Sequence, residues 1–183
     1  MIFNLVGTWE MIRAAGIVSY FLFWLSTCAG ILYSEKVFVK KRAILLLIHQ
    51  NCGWFAFLFV MLHGALLIVD NYMPYSVMEI FIPFSANNEP ILSGIGTLTF
   101  LFYLIILVSS DLLRILSKKV WKWIHILTIP TFVLMLFHSF FIGTDSLTPG
   151  MLILYAFTVT IFLFLIAYKG VNYRFHKTYK KMI

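Results

Sequence analysis

Four of the five histidines stand in two pairs, His49 with His63 at fourteen residues' separation and His125 with His138 at thirteen. All four lie inside hydrophobic stretches long enough to cross a bilayer. An ionisable side chain in hydrocarbon is costly and marks a functional position. Neutral imidazole is a good ligand for iron, copper and zinc. One imidazole from each of two helices, at one depth, is the axial pair of a six-coordinate b-type haem, and two such levels would hold two haems. A metal-transport site would add carboxylates or thiolates at the same depth, and none stands beside these four. The remaining alternative is hydrogen-bonded packing.

The elements that must position these residues are membrane helices. The chain has 183 residues, 62% of them hydrophobic and only 11% charged, with a mean hydropathy of +0.96. That composition excludes a soluble domain of this size. Apolar runs at 12–33, 43–69, 95–116, 120–142 and 149–168 approach or exceed the roughly 20 residues that span a bilayer. Backbone polar groups in lipid must be satisfied internally, so the runs are expected to be helices. No basic segment precedes the first run, which reads as a retained helix rather than a signal peptide. Cys28 and Cys52 fall within the first two runs and read as small buried apolar residues.

The net charge of +7 is distributed asymmetrically. Lys36, Lys40, Lys41 and Arg42 fill the first loop, Arg114, Lys118, Lys119 and Lys122 the third, and Lys169, Arg174, Lys177, Lys180 and Lys181 the tail. The other two loops carry Asp70, Glu79, Glu89 and Asp145 without Lys or Arg. The positive-inside rule makes the basic side cytoplasmic. The expected fold is therefore all-α and integral to the membrane: a five-transmembrane-helix bundle, N-terminus outside and C-terminus cytoplasmic. Residues 70–93, too apolar for a free loop and too broken for a sixth span, are expected to lie at the interface as a lid over the outer end. Trp121 and Trp123 read as interfacial anchors. The tail from Lys169 is too short for a flavin or nicotinamide domain, so the chain reads as one membrane domain over 1–183.

In this topology the second and fourth spans run parallel. His49 and His125 then form an inner level, and His63 and His138 an outer one, separated by roughly 20 Å at about 1.5 Å per residue. On the second span His49, Gly53, Ala56, Val60 and His63 share a face whose small residues leave room for flat macrocycles or let helices approach. The fourth span is less regular, since thirteen residues at about 100° each leave His138 roughly 140° from His125. Pro130 lies between them, and a kink or tightened turn there would correct the angle. Arg13, the only basic residue at the outer side, suits an outer-haem propionate; snorkelling or pairing with Glu10 are its alternatives. Arg42 and Arg114 could serve the inner haem in the same way. Phe132 and Trp54 lie between the levels, as haem-edge bridges or as core packing. His176, in the basic tail, reads as a solvated or interfacial residue.

These segments, from WEMIRAAGIVSY through HQNCGWFAFLFVMLH and SSDLLR to WKWIHILTIPTFVLMLFHSFFIGTD, resemble the ferric reductase-like transmembrane domain, the haem-bearing core of ferric reductases and NADPH oxidases. They are also similar to the haem subunit of the bacterial periplasmic methionine sulfoxide reductase system. The resemblance implies two b-type haems, with His49 and His125 on the inner iron, His63 and His138 on the outer one, and Arg13 near the outer haem. The family's oxidases carry a further histidine one turn after the outer ligand of the first pair; Leu67 stands there, which argues against a dedicated superoxide generator. The expected function is a cytochrome b in the bacterial cytoplasmic membrane. It would carry electrons from a separate flavoprotein or membrane quinol to an extracytoplasmic acceptor, ferric iron or a redox partner, with any enzyme activity conditional on that partner. An accessory haem-bearing anchor of a larger reductase and a haem-free transporter or scaffold are the rivals. Nucleic acid is not an expected partner.

Overall fold

The computed structural model describes residues 7–182, the side chains at 36–38 and 173–182 excepted. The described residues form α1 (Thr8–Ser34), α2 (Arg42–Ile68), α3 (Val77–Phe81), α4 (Pro90–Asp111), α5 (Lys118–His125), α6 (Thr128–Ile142) and α7 (Pro149–Met182), without a strand. Short 3₁₀ turns at Lys36–Lys41 and Leu112–Arg114 join the basic ends. Five helical stretches are long and apolar enough to cross a membrane, and they coincide with the five apolar runs. The chain is an integral membrane protein.

Helix α7 runs on past the expected end at residue 168 to Met182, and two other boundaries move outward for local reasons. Proline is tolerated in a helix's first turn because the N–H it lacks is unpaired there anyway, so α4 begins at Pro90 rather than at Ile95. In α1 the segment Thr8–Glu10 adds a first turn before the apolar stretch. The fourth span departs further. It is two helices, α5 and α6, interrupted at Ile126 and Leu127.

Pro130 explains the interruption. A continuous helix would give the Ile126 carbonyl the N–H of residue 130, which proline lacks. That carbonyl instead accepts the N–H of Ile129 at 3.2 Å, and Leu127 N–H donates to the Ile124 carbonyl at 3.0 Å. Both are i→i+3 bonds, which turn the chain by about 120° per residue rather than about 100°. The added rotation has the sense needed to bring His125 and His138 onto one side.

Helix α1 is the centre of the bundle. More than half of its span is buried, against about a tenth of α2. Tyr20, Phe23, Trp24 and Cys28 of α1 pack with Tyr103, Phe132, Met135, Tyr155, Phe162 and Leu165. Buried hydroxyls and N–H groups find partners, as lipid demands: Tyr20 Oη lies 2.6 Å from Thr158 Oγ1, and Trp24 Nε1 donates to the Thr158 carbonyl at 3.0 Å. Both cysteines are free. The most extensive packing joins α1 to α2 and α4 to α6. The histidines reach across the space between these two couples.

Residues 70–89 form the lid. Ser76 and Glu79 make a capping box at the start of α3. Asp70 accepts the Met73 N–H at 2.9 Å, and Tyr75 Oη lies 3.0 Å from Ser93 Oγ. Phe84 takes a left-handed conformation, φ 65°, over Gly94, where a Cβ would strike the Phe84 ring and its backbone nitrogen. A glycine is required there by close approach.

Candidate functional site

Each expected pair faces its partner. The His49 and His125 ring centroids are 5.8 Å apart with planes at 78°, and those of His63 and His138 are 6.5 Å apart at 87°. The first pair lies toward the basic loops (the basic end), the second beneath residues 70–89 (the lid end).

Three of the rings are held by backbone carbonyls. His63 Nδ1 is 2.9 Å from the Ile12 carbonyl oxygen, His49 Nδ1 2.9 Å from that of Ser26, and His138 Nδ1 2.8 Å from that of Leu92. A carbonyl only accepts, so each Nδ1 carries the proton and Nε2 keeps its lone pair. Ser26 also returns a bond, its Oγ donating to the His49 carbonyl at 2.7 Å. Glycines make room for this. A Cβ on Gly16 would lie 3.3 Å from His63 Nδ1, one on Gly30 3.0 Å from His49 Nδ1, and one on Gly96 2.7 Å from His138 Nδ1. The sequence reasoning missed these three. Their signal was present, since Gly16 and Gly30 are fourteen apart, the same interval as His49 and His63.

His125 differs. Its Nδ1 is buried and has no hydrogen-bond partner among the described residues. The ring stacks on Trp121, centroids 4.8 Å apart and planes at 25°. Trp121 Nε1 donates to Ser110 Oγ at 3.4 Å. Trp121 thus turns toward His125 and Ser110, whereas Trp123 is 68% exposed.

Two cavities flank the pairs. The lid-end cavity, about 950 Å³, is bordered by His63, His138, Arg13, Gly16, Gly96 and lid residues including Tyr75 and Glu79. The basic-end cavity, about 300 Å³, is bordered by His49, His125, Ser26, Gln50, Gly53 and Asp111.

Other expected residues fall as follows. Arg13 borders the lid-end cavity and pairs with Asp145, Nε at 2.6 Å and Nη2 at 2.5 Å from Oδ2. Asp145, not Glu10, is its counter-ion. Gly53 and Ala56 are the buried residues of α2. The Ala56 carbonyl accepts Ser19 Oγ at 3.0 Å, so Ala56 serves close packing against α1 rather than macrocycle space. Gly53 borders the basic-end cavity, and its carbonyl accepts the Tyr103 hydroxyl at 2.5 Å. Phe132 is 1% exposed and stacks on Tyr20, a core position. Trp54 borders the basic-end cavity and is 44% exposed. Arg42 lies over the Tyr33 ring, 4.7 Å from its centroid. The His176 side chain lies outside the described residues.

Among the described residues no three His, Cys, Asp or Glu side chains gather as a metal site; the histidines act as facing pairs. Comparison with curated proteins and with solved structures finds no match. The family described as ferric reductase like transmembrane component matches residues 13–136, more than half of the chain, a span that includes Arg13, His49, His63 and His125. The chain belongs to that family, generally haem-binding, and is a membrane redox component.

Proposed function

We propose that this protein is a transmembrane cytochrome b that holds two b-type haems and passes electrons across the bilayer. The observation that carries this reading is the pair of facing histidine couples, three of whose rings donate Nδ1–H to a backbone carbonyl. That second bond fixes the tautomer, aims Nε2 and raises its basicity, as around metal-bound imidazoles generally. Two imidazoles sharing one metal through Nε2, at about 2 Å each, have centroids roughly 6.3 Å apart. The observed separations of 5.8 and 6.5 Å agree with that span.

His49 and His125 would hold one haem, and His63 and His138 the other. Arg13 uses Nε and Nη2 on Asp145 and keeps further N–H donors for a propionate at the lid end. Bound haem supplies a one-electron store at each level. Held between two histidines, a haem at either level would supply electron transfer rather than substrate chemistry. The lid-end cavity is the place for an acceptor to approach the haem edge. The basic loops face the cytoplasm by the positive-inside rule, so a separate flavoprotein or a quinol delivers electrons to the His49–His125 level. Ferric iron or a partner redox protein accepts them outside.

The test is spectroscopic. Dithionite-reduced membranes should show a b-type α-band. His49→Ala with His125→Ala should halve it, His63→Ala with His138→Ala should do the same, and all four together should abolish it. Absence of the band after haem-replete expression would end the reading in favour of a haem-free scaffold. Copurification of a stoichiometric soluble subunit, with no electron transfer by the membrane chain alone, would instead make it the anchor of a larger reductase.

A further inference from the structure

In a helix the carbonyl of residue i accepts the N–H of residue i+4. Where i+4 is glycine, no Cβ shields that carbonyl, and a neighbouring helix can bring it a second donor. The protein uses this arrangement three times: Ile12 with Gly16 seats His63, Ser26 with Gly30 seats His49, and Leu92 with Gly96 seats His138. The two seats on α1 are fourteen residues apart. Fourteen residues on from Leu92 and Gly96, α4 carries Ile106 and Ser110. Both border the basic-end cavity with His125.

This fourth seat is closed twice over. Serine replaces glycine, and the Ile106 carbonyl already accepts the hydroxyls of Ser109 at 2.8 Å and Ser110 at 2.9 Å. The histidine at this level is the one whose buried Nδ1 lacks a partner. It is also the last residue of α5, where the fourth span is interrupted, whereas His49, His63 and His138 sit within longer helices.

We propose, building on the two-haem reading, that His125 is the exchangeable ligand of the basic-end haem. That level then admits a small neutral diatomic ligand such as carbon monoxide, while the lid-end level excludes it. In the exchange His125 Nε2 leaves with its lone pair, the incoming ligand supplies its own, and the iron's oxidation state is unchanged. Outer partners of this kind are worth about 10–100-fold in metal affinity, and His125 gives way more readily by that factor.

The experiment uses the purified, haem-loaded full chain, reduced and titrated with carbon monoxide. Half of the haem should react, seen as a shifted Soret band. The His63→Ala/His138→Ala protein, keeping only the basic-end haem, should react fully, and the His49→Ala/His125→Ala protein should not react. Ser109→Ala with Ser110→Gly opens the fourth seat and should weaken carbon monoxide binding about 10–100-fold, a gain of ligand strength that structural damage does not imitate. Two six-coordinate haems that ignore carbon monoxide, a lid-end haem that binds it, or an unchanged titration in the serine variant would overturn the proposal and leave the two-haem reading standing. A haem-free protein would overturn both.

Discussion

A histidine can offer a metal either ring nitrogen, and the bond made by the other decides which. Here that bond depends on residues without side chains. A methyl group at Gly96 would intrude on the His138 ring, lying 2.7 Å from Nδ1 and 2.9 Å from Nε2, whereas one at Gly16 would lie 3.3 Å from His63 Nδ1. Gly96→Ala should therefore displace His138 and lower haem affinity at the lid end about 10–100-fold. Gly30→Ala should cost less and Gly16→Ala least. Gly64→Ala, whose Cβ would meet Ile80 at an ordinary 3.6 Å, should leave haem unaffected. The haem-to-protein ratio after purification, with low-temperature electron paramagnetic resonance of the ferric protein, measures the series. An order unrelated to the glycine–imidazole distances would sink the seating argument.

At the scale of elements, the placing of His125 and His138 on one side of the fourth span depends on a proline rather than on helical periodicity. The thirteen-residue interval raised the problem in the sequence and Pro130 offered the remedy, but the split into α5 and α6 emerged only from which carbonyls lost their donors. Pro130→Ala restores the missing N–H and favours a continuous helix through Ile126. His125 should then rotate away from His49, and the reduced α-band should fall by half with the lid-end haem retained. The lid has its own control. The backbone N–H of Asn87, together with that of Ser76 and the Ser76 hydroxyl, holds the Glu79 carboxyl below the usual range. A depressed acid contributes its stabilisation above its unfolded value, about 4.3, and loses it as pH falls through the folded value. The Glu79 bonds should hold α3 in place at neutral pH and weaken in acid, below the ordinary glutamate value of about 4.3. Hydrogen-exchange protection at residues 76–87, taken relative to the intrinsic rate at each pH, should fall in acid, and Glu79→Gln should make that protection independent of pH across the same window.

For the whole molecule, hydropathy located every span because a bilayer forces length and polarity on each crossing element. The histidine pairs were equally legible, as a matched interval in two spans. The order of burial was not. Nothing in local composition distinguishes α1 as the central pillar, since a lipid-facing leucine and a core leucine read alike. The seats were hidden too, because a glycine in a membrane span reads first as close packing. Charge asymmetry carries the remaining question of direction. Arg13, which breaks the asymmetry, is paired with Asp145, so its charge is compensated locally and leaves the bias of the basic loops intact. If those loops face the cytoplasm, a cysteine in place of exposed Asn88 in the lid should react with a membrane-impermeant maleimide on intact cells, and one in place of exposed Lys118 should react only after permeabilisation. Cys28 is buried and Cys52 lies within a span, so background labelling should be low. The reverse pattern would set the His49–His125 level outside. Electrons would then have to enter beneath the lid, and the direction proposed for this cytochrome would be inverted while its ligands stayed the same.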